Sequence, residues 1–213
     1  MSITHHLDDA TLMSFAAGAL PAALSAVAAA HVAMCARCRS EVVALECVGA
    51  ALLSALTDAH MERTEPETPS AADQPSAQQR REAAAAPIES PTPLARLLPG
   101  GLDAVRWRRL GFGIWHRRLA IEGSGALGLL RVAAGRMVPE HGHGGAELTL
   151  VLRGSFHDTT GRYRTGDVAD LDATVEHEPV ADRGPDCICL VASETPARFR
   201  GLIARLMQPW HGL

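Results

Sequence analysis

The chain has 213 residues, enough for one large domain or two small ones. Hydrophobic residues make up 47% and aromatics only 4%, so any core must be built from Leu, Val and Ala. The net charge is −4 and all 20 basic residues are arginines with no sustained basic face, which argues against a general nucleic-acid binder.

Five cysteines behind an N-terminus, MSITHHLDD, that lacks a basic export segment do not read as a disulfide scaffold. Residues 15–36 are apolar but mostly alanine, and Gly18, Pro21, Ser25 and His31 interrupt them. A spanning helix needs about 20 strongly apolar residues, so no membrane contact is expected and the expected location is the cytoplasm.

The first elements read as helices. Asp8 or Asp9 caps one that runs through Leu12 and Phe15 to about Gly18. Pro21 suits the first turn of the next, which carries Leu24, Val27, Ala28 and His31. A third follows Cys38, with Val42, Leu45, Gly49, Leu52 and Leu56 on one stripe. Gly49, Ala50 and Ala51 would let a neighbouring helix come close. So small a bundle, with an Ala and Leu core, calls for a staple.

The stretch HVAMCARC supplies candidates for it. His31 and Cys35, four apart, share a helix face. Cys38 opens the next helix, where free N–H groups and the positive dipole end favour a thiolate. A fourth donor is expected from His6 or His5, ahead of the first helix. Zinc accepts such mixed nitrogen and sulfur ligands at about 2.0–2.3 Å. Cys47 lies off the stripe and is expected to be unligated.

His6, His31, Cys35 and Cys38 together resemble the zinc-binding anti-sigma domain, over about residues 1–86. The resemblance implies a helical bundle that wraps an extracytoplasmic-function sigma factor and hides its polymerase-binding surfaces. Residues 61–93 hold six of the 13 prolines and few large apolar side chains, too few to fold alone. Within them a helix is expected at about 75–86, which in the family completes the bundle. Residues 87–99 read as a linker.

Beyond it, residues 135–154 read GRMVPEHGHGGAELTLVLRG. His141 and His143, two apart, share a face of an extended strand, and Glu147 keeps the same parity. Gly144 and Gly145 permit a bend between them. Leu148, Leu150 and Leu152 alternate with Thr149 and Val151 as a half-buried strand does. His177 follows 23 residues after Gly154. Three imidazoles and a carboxylate would make a mononuclear metal site in a barrel mouth, with zinc preferred over iron, manganese or nickel.

Gly135, His141, His143, Glu147 and Gly154 resemble the first cupin motif position by position. Gly166 and His177 resemble part of the second, whose usual turn is replaced by Asp172, Ala173 and Thr174 and whose Asn is Ala181. The resemblance covers about residues 100–195 and implies an antiparallel β-barrel of jelly-roll type. The expected fold is therefore multi-domain α + β: a small zinc-stapled helical bundle, then a cupin barrel, then a C-terminal helix and tail at 196–213. In that last segment Thr195 caps, Pro196 opens, and Phe199, Leu202, Ile203 and Leu206 share a stripe.

A zinc-binding anti-sigma domain followed by one cupin resembles the ChrR group of anti-sigma factors. That resemblance implies a one-to-one complex with a sigma factor of the sigma-E type, relieved by singlet oxygen or related oxidants through the cupin. It implies a regulator and not an enzyme. Cleavage in the exposed proline-rich stretch is one route to irreversible release. The competing reading is an iron(II) dioxygenase or isomerase fused to a zinc module. Other residues carry less. Cys187 and Cys189 share a strand face and read as small core residues or an oxidant target. Trp107 and Trp115 read as core anchors, and Arg108, Arg109, Arg117 and Arg118 as a solvated face. His116, His157 and His211 lack partners at ligand spacing.

Overall fold

The structure, a computed structural model, describes residues 2–60, 93–195 and 198–199. The helix expected at about 75–86 and the stripe beyond Phe199 lie outside the described residues.

Three helices open the chain. α1 (Asp9–Ala16) follows Asp8, whose backbone is extended and whose side chain makes no capping bond. The Asp8 N–H donates instead to Asp170 Oδ2 at 3.0 Å. Gly18, at φ +67°, ends this segment in a conformation that a Cβ would resist. Pro21 stands at the cap of α2 (Ala22–Met34), one place ahead of its first turn. Ala23, Leu24, Val27, Ala28, Ala30 and His31 of α2 are all buried.

α3 (Ala36–His60) has 25 residues and is about 37 Å long. It begins two residues before Cys38, not after it. Cys38 and Val42 are buried and Leu45 half-buried, but every residue from Glu46 to Leu56 is exposed. The expected stripe is thus covered only at its near end, and a Cβ at Gly49 would meet nothing within 4 Å. Among the described residues, no helix is long and apolar enough to cross a membrane.

Part of the expected linker is folded. α4 (Pro93–Leu97) packs on α2, with Leu94 and Leu97 half-buried and Leu98 buried in the shared core.

The remainder is antiparallel sheet. In chain order the strands are β1 (Arg108–Gly111), β2 (Ile114–Arg118), β3 (Ala126–Val132), β4 (His141–Gly142), β5 (Glu147–Arg153) and β6 (Ser155–His157). Then come β7 (Arg162–Arg164), β8 (Val168–Leu171), β9 (Glu176–His177), β10 (Val180–Ala181), β11 (Cys187–Ser193) and β12 (Arg198–Phe199). A six-stranded sheet runs β1-β2-β3-β11-β5-β8, and two three-stranded sheets run β10-β6-β7 and β12-β4-β9. The helix expected to open at Pro196 is corrected at Arg198–Phe199, which pairs with β4 opposite Gly142 and His141. A strand edge left by β4 takes these two residues in place of a helical turn.

Strand alternation sorts the large sheet's side chains onto two faces. Leu130, Thr149, Val151 and Cys189 belong with the barrel interior, while Leu127, Leu129, Leu148, Leu150 and Leu190 join a core that also holds Leu24, Val27 and Ala28 of α2. β5 is therefore buried on both faces, not half-buried, because α2 lies across its outer side. Leu24, only 2% exposed, fills this junction. Leu24→Ala should cost about 2–5 kcal/mol in a denaturant titration, and an unchanged midpoint would contradict the packing.

Candidate metal centres

The first cluster forms where three segments meet. His31 sits in the last turn of α2, Cys35 caps that helix in extended conformation, and Cys38 lies in the first turn of α3. His31 Nε2 is 3.3 Å from Cys38 Sγ. His6 Nδ1 is 3.3 Å from Cys35 Sγ and 3.6 Å from Cys38 Sγ. Tetrahedral zinc, with bonds of about 2.0–2.1 Å to nitrogen and about 2.3 Å to sulfur, separates N and S ligands by about 3.6 Å. One ligand atom from each of the four residues lies within 4.8 Å of the others, the geometry of a group that could hold a metal ion.

The sequence left His5 and His6 open, and the structure separates them. His6 turns to the thiols, while His5 faces Asp167, with Nδ1 3.4 Å from Oδ2. Burial lowers His31 to about 4 and raises Cys38 to about 11, so both are neutral at ordinary pH. A cation held here would meet a neutral imidazole at His31 and would displace the Cys38 thiol proton. Behind the site, His31 Nδ1–H donates to the Gly166 carbonyl at 3.0 Å, which fixes Nε2 as the lone-pair side. Gly166 has φ +95°, and a Cβ there would stand 2.8 Å from Ile3 Cγ1. The N–H groups of Thr4 and His5 donate to Asp167 Oδ1 at 2.7 and 3.1 Å, holding the segment that presents His6.

The second cluster lies inside the barrel. Cross-strand pairing of β4 with β9 sets His141 opposite His177, with their Nε2 atoms 3.2 Å apart. His143 Nε2 is 3.3 Å from His177 Nε2. Three ring nitrogens this close match the edge of about 3.3 Å expected around a tetrahedral ion with bonds of about 2.0–2.1 Å. Two of the rings are held from behind. His141 Nδ1 donates to the Pro139 carbonyl at 2.9 Å, and His177 Nδ1 donates to Asp158 Oδ2 at 2.8 Å. His143 Nδ1 lies 3.0 Å from Glu147 Oε2. The Thr149 hydroxyl donates to Glu147 Oε1 at 3.1 Å.

Burial dominates the electrostatics here. It lowers His141 to about 3 and His143 to about 4, leaving neutral imidazoles, and raises Glu147 to about 7. Asp158 would rise on burial too, but hydrogen bonds from His177 and Thr160 outweigh that and hold it below its ordinary value. Beside the cluster is a cavity of about 170 Å³ with largely apolar walls. Cys187 and Cys189 line it, their Sγ atoms 3.6 Å apart. The Cys187 hydrogen bond and burial push the Cys189 thiol well up, so it is not a ready thiolate. Cys47 is exposed on α3, away from both clusters.

Residues 100–196 match the ChrR cupin-like domain. Anti-sigma-E factor ChrR of Cereibacter sphaeroides is 42% identical over 99% of both chains. The chain belongs to the ChrR family. The structure of Rhodobacter sphaeroides SigE in complex with the anti-sigma ChrR matches with a TM-score of 0.71 and 40% identity, over 90% of this chain and 99% of that one.

Within this ChrR-family chain, sequence reasoning picked all eight clustered side chains and missed what stands behind them. Asp158 and Asp167 were not singled out, and Gly166 was named as a motif glycine but not for its carbonyl. A signal for Asp158 existed in HDTTG, where an aspartate two residues before Thr160 makes an Asx turn, accepting the Thr160 N–H at 2.8 Å. His116, set aside earlier, is buried opposite Leu130 in β3. His157 is bonded to Asp182 at 2.9 Å. Trp115 is half-buried, with the Arg131 guanidinium 4.8 Å above its ring.

If both groups hold a metal, plasma-emission analysis should find two metal equivalents per chain. Cys38→Ser and His177→Ala should each remove one; two ions retained in either variant would contradict the assignment.

Proposed function

We propose that the chain is an anti-sigma factor that binds a sigma factor of the sigma-E type one-to-one and withholds it from RNA polymerase. The observation that carries this is the outer half of α3. Val48, Leu52 and Leu56 are 58–65% exposed on that outer half, where every residue from Glu46 to Leu56 is exposed. Apolar faces of this kind suit burial against a partner protein. The relative resolved in complex with a sigma factor, which this chain resembles over 90% of its length, supports that occupant.

In this reading His6, His31, Cys35 and Cys38 hold a structural zinc ion, which clamps the angle between α2 and α3. His141, His143, Glu147 and His177 hold a second divalent ion, again zinc by preference, in the barrel. Residues 1–86 form the sigma-binding unit, 100–195 the barrel, and the stretch between them connects the two. Oxidants such as singlet oxygen act through the barrel, in the cytoplasm, to relieve inhibition. The protein itself supplies the imidazoles, the hydrogen bonds that back His141 and His177, and a largely apolar cavity beside them. A relationship spanning 99% of both chains favours regulation over the dioxygenase or isomerase reading.

The test uses purified sigma-E-type partner and titration by fluorescence anisotropy. Leu52→Asp with Leu56→Asp should weaken binding at least tenfold without moving the melting midpoint, since both side chains are exposed. Unchanged affinity in that variant would remove α3 from the interface.

A further inference from the structure

The two clusters lie in different modules, yet a continuous run of side-chain and backbone contacts connects them. It starts at His177, whose Nδ1–H reaches Asp158 Oδ2 at 2.8 Å; the Asp158 side chain is fully buried. Asp158 Oδ1 accepts the Thr160 hydroxyl at 2.6 Å. A threonine hydroxyl has one proton. With that proton committed to Asp158, the Tyr163 hydroxyl, 2.9 Å from Thr160 Oγ1, must donate to it.

The Tyr163 ring then meets the N-terminal segment. Its centroid is 4.4 Å from that of His5. Gly161 leaves the room, since a Cβ there would stand 3.2 Å from His5 Nε2. His5 contacts Asp167, which also accepts the Thr4 and Arg164 N–H groups at 2.7 and 2.9 Å. The neighbours of these two residues complete the run. His6, after His5, faces the thiols, and Gly166, before Asp167, accepts the His31 proton at 3.0 Å.

We propose that Asp158, Thr160, Tyr163, His5 and Asp167 are positioning residues through which filling of the barrel site raises the metal affinity of the N-terminal site. The proposal rests on reading both clusters as metal sites. A cation on His177 Nε2 makes Nδ1–H a stronger donor and fixes Asp158 against it. Asp158 holds Thr160, Thr160 orients Tyr163, and Tyr163 braces His5, so that His6 waits in its liganding position. Linkage makes the effect reciprocal: filling the N-terminal site tightens the barrel site by the same factor. Loss of the barrel ion would then loosen the helical module without touching it directly.

The test is chelator competition for zinc at the N-terminal site of the full chain, with the barrel site filled or kept empty by His141→Ala. Emptying the barrel should weaken the N-terminal site by about fivefold or more, within the usual range of such couplings. In Tyr163→Phe, which lacks only the donor to Thr160, the difference should fall below about twofold. Thr160→Val, at an exposed position, repeats the cut should the tyrosine variant fold poorly. Equal N-terminal affinities with the barrel filled and empty would overturn the proposal. So would a coupling in both variants as large as in the parent. An N-terminal site that takes no ion in any form would instead overturn the metal reading beneath it.

Discussion

Helix α2 carries almost no polar side chain: AALSAVAAAHVAM offers only Ser25 and His31. Such a helix is stable only when covered on more than one side. Its alanines provide no bulk, so both neighbours must come close. On one side these are α1 and α3; on the other is the outer face of β3, β5 and β11. Helical module and barrel consequently share one core, from Leu7 and Leu12 through Leu24 and Val27 to Leu150 and Leu190. The relative position of the modules follows from this burial and does not depend on a tether.

His31 shows what that burial achieves. It is wholly buried at the end of α2, and its two ring nitrogens point into different modules. Nδ1 is held by the barrel's Gly166 carbonyl and Nε2 faces Cys38. The first cluster is therefore not self-contained in the helices. Asp167 adds to this by gathering the N–H groups of Thr4 and His5. Burial would raise its carboxyl, but these donors hold it below its ordinary value, so it stays an anion to which the N-terminal segment is pinned. Against this well-covered assembly, the far half of α3 is the exception. Its leucines are exposed, which is what a helix that completes its core in a partner would show.

Much of this was legible in the chain. The eight clustered side chains were visible because donors that could share a metal recur at fixed spacings: four residues along a helix for His31 and Cys35, strand parity for His141, His143 and Glu147. The three helices were visible because their apolar residues recur with helical period. What stayed hidden depended on contacts distant in sequence. His5 and His6 are adjacent and chemically identical, and only Asp167, more than 160 residues away, separates their roles. Leu148 and Leu150 alternate with Thr149 whether their outer face meets water or α2, so β5 read as half-buried. The segment after Thr195 has cap-like residues and an apolar stripe, yet Arg198–Phe199 forms β12, because pairing with β4 outweighs local preference. Residues 93–97 sit beside a proline-rich run, and their leucines gave no hint that α2 had a groove for them.

The claim that α2 joins the two modules into one cooperative body is tested most directly by native-state hydrogen exchange. The slowest amides of α2, around Val27 and Ala28, and those of β5 and β11, around Leu150 and Leu190, should open with a common free energy. If the α2 amides opened at a distinctly lower free energy while the strands kept theirs, the helices and the barrel would be separate units, and the account would be wrong.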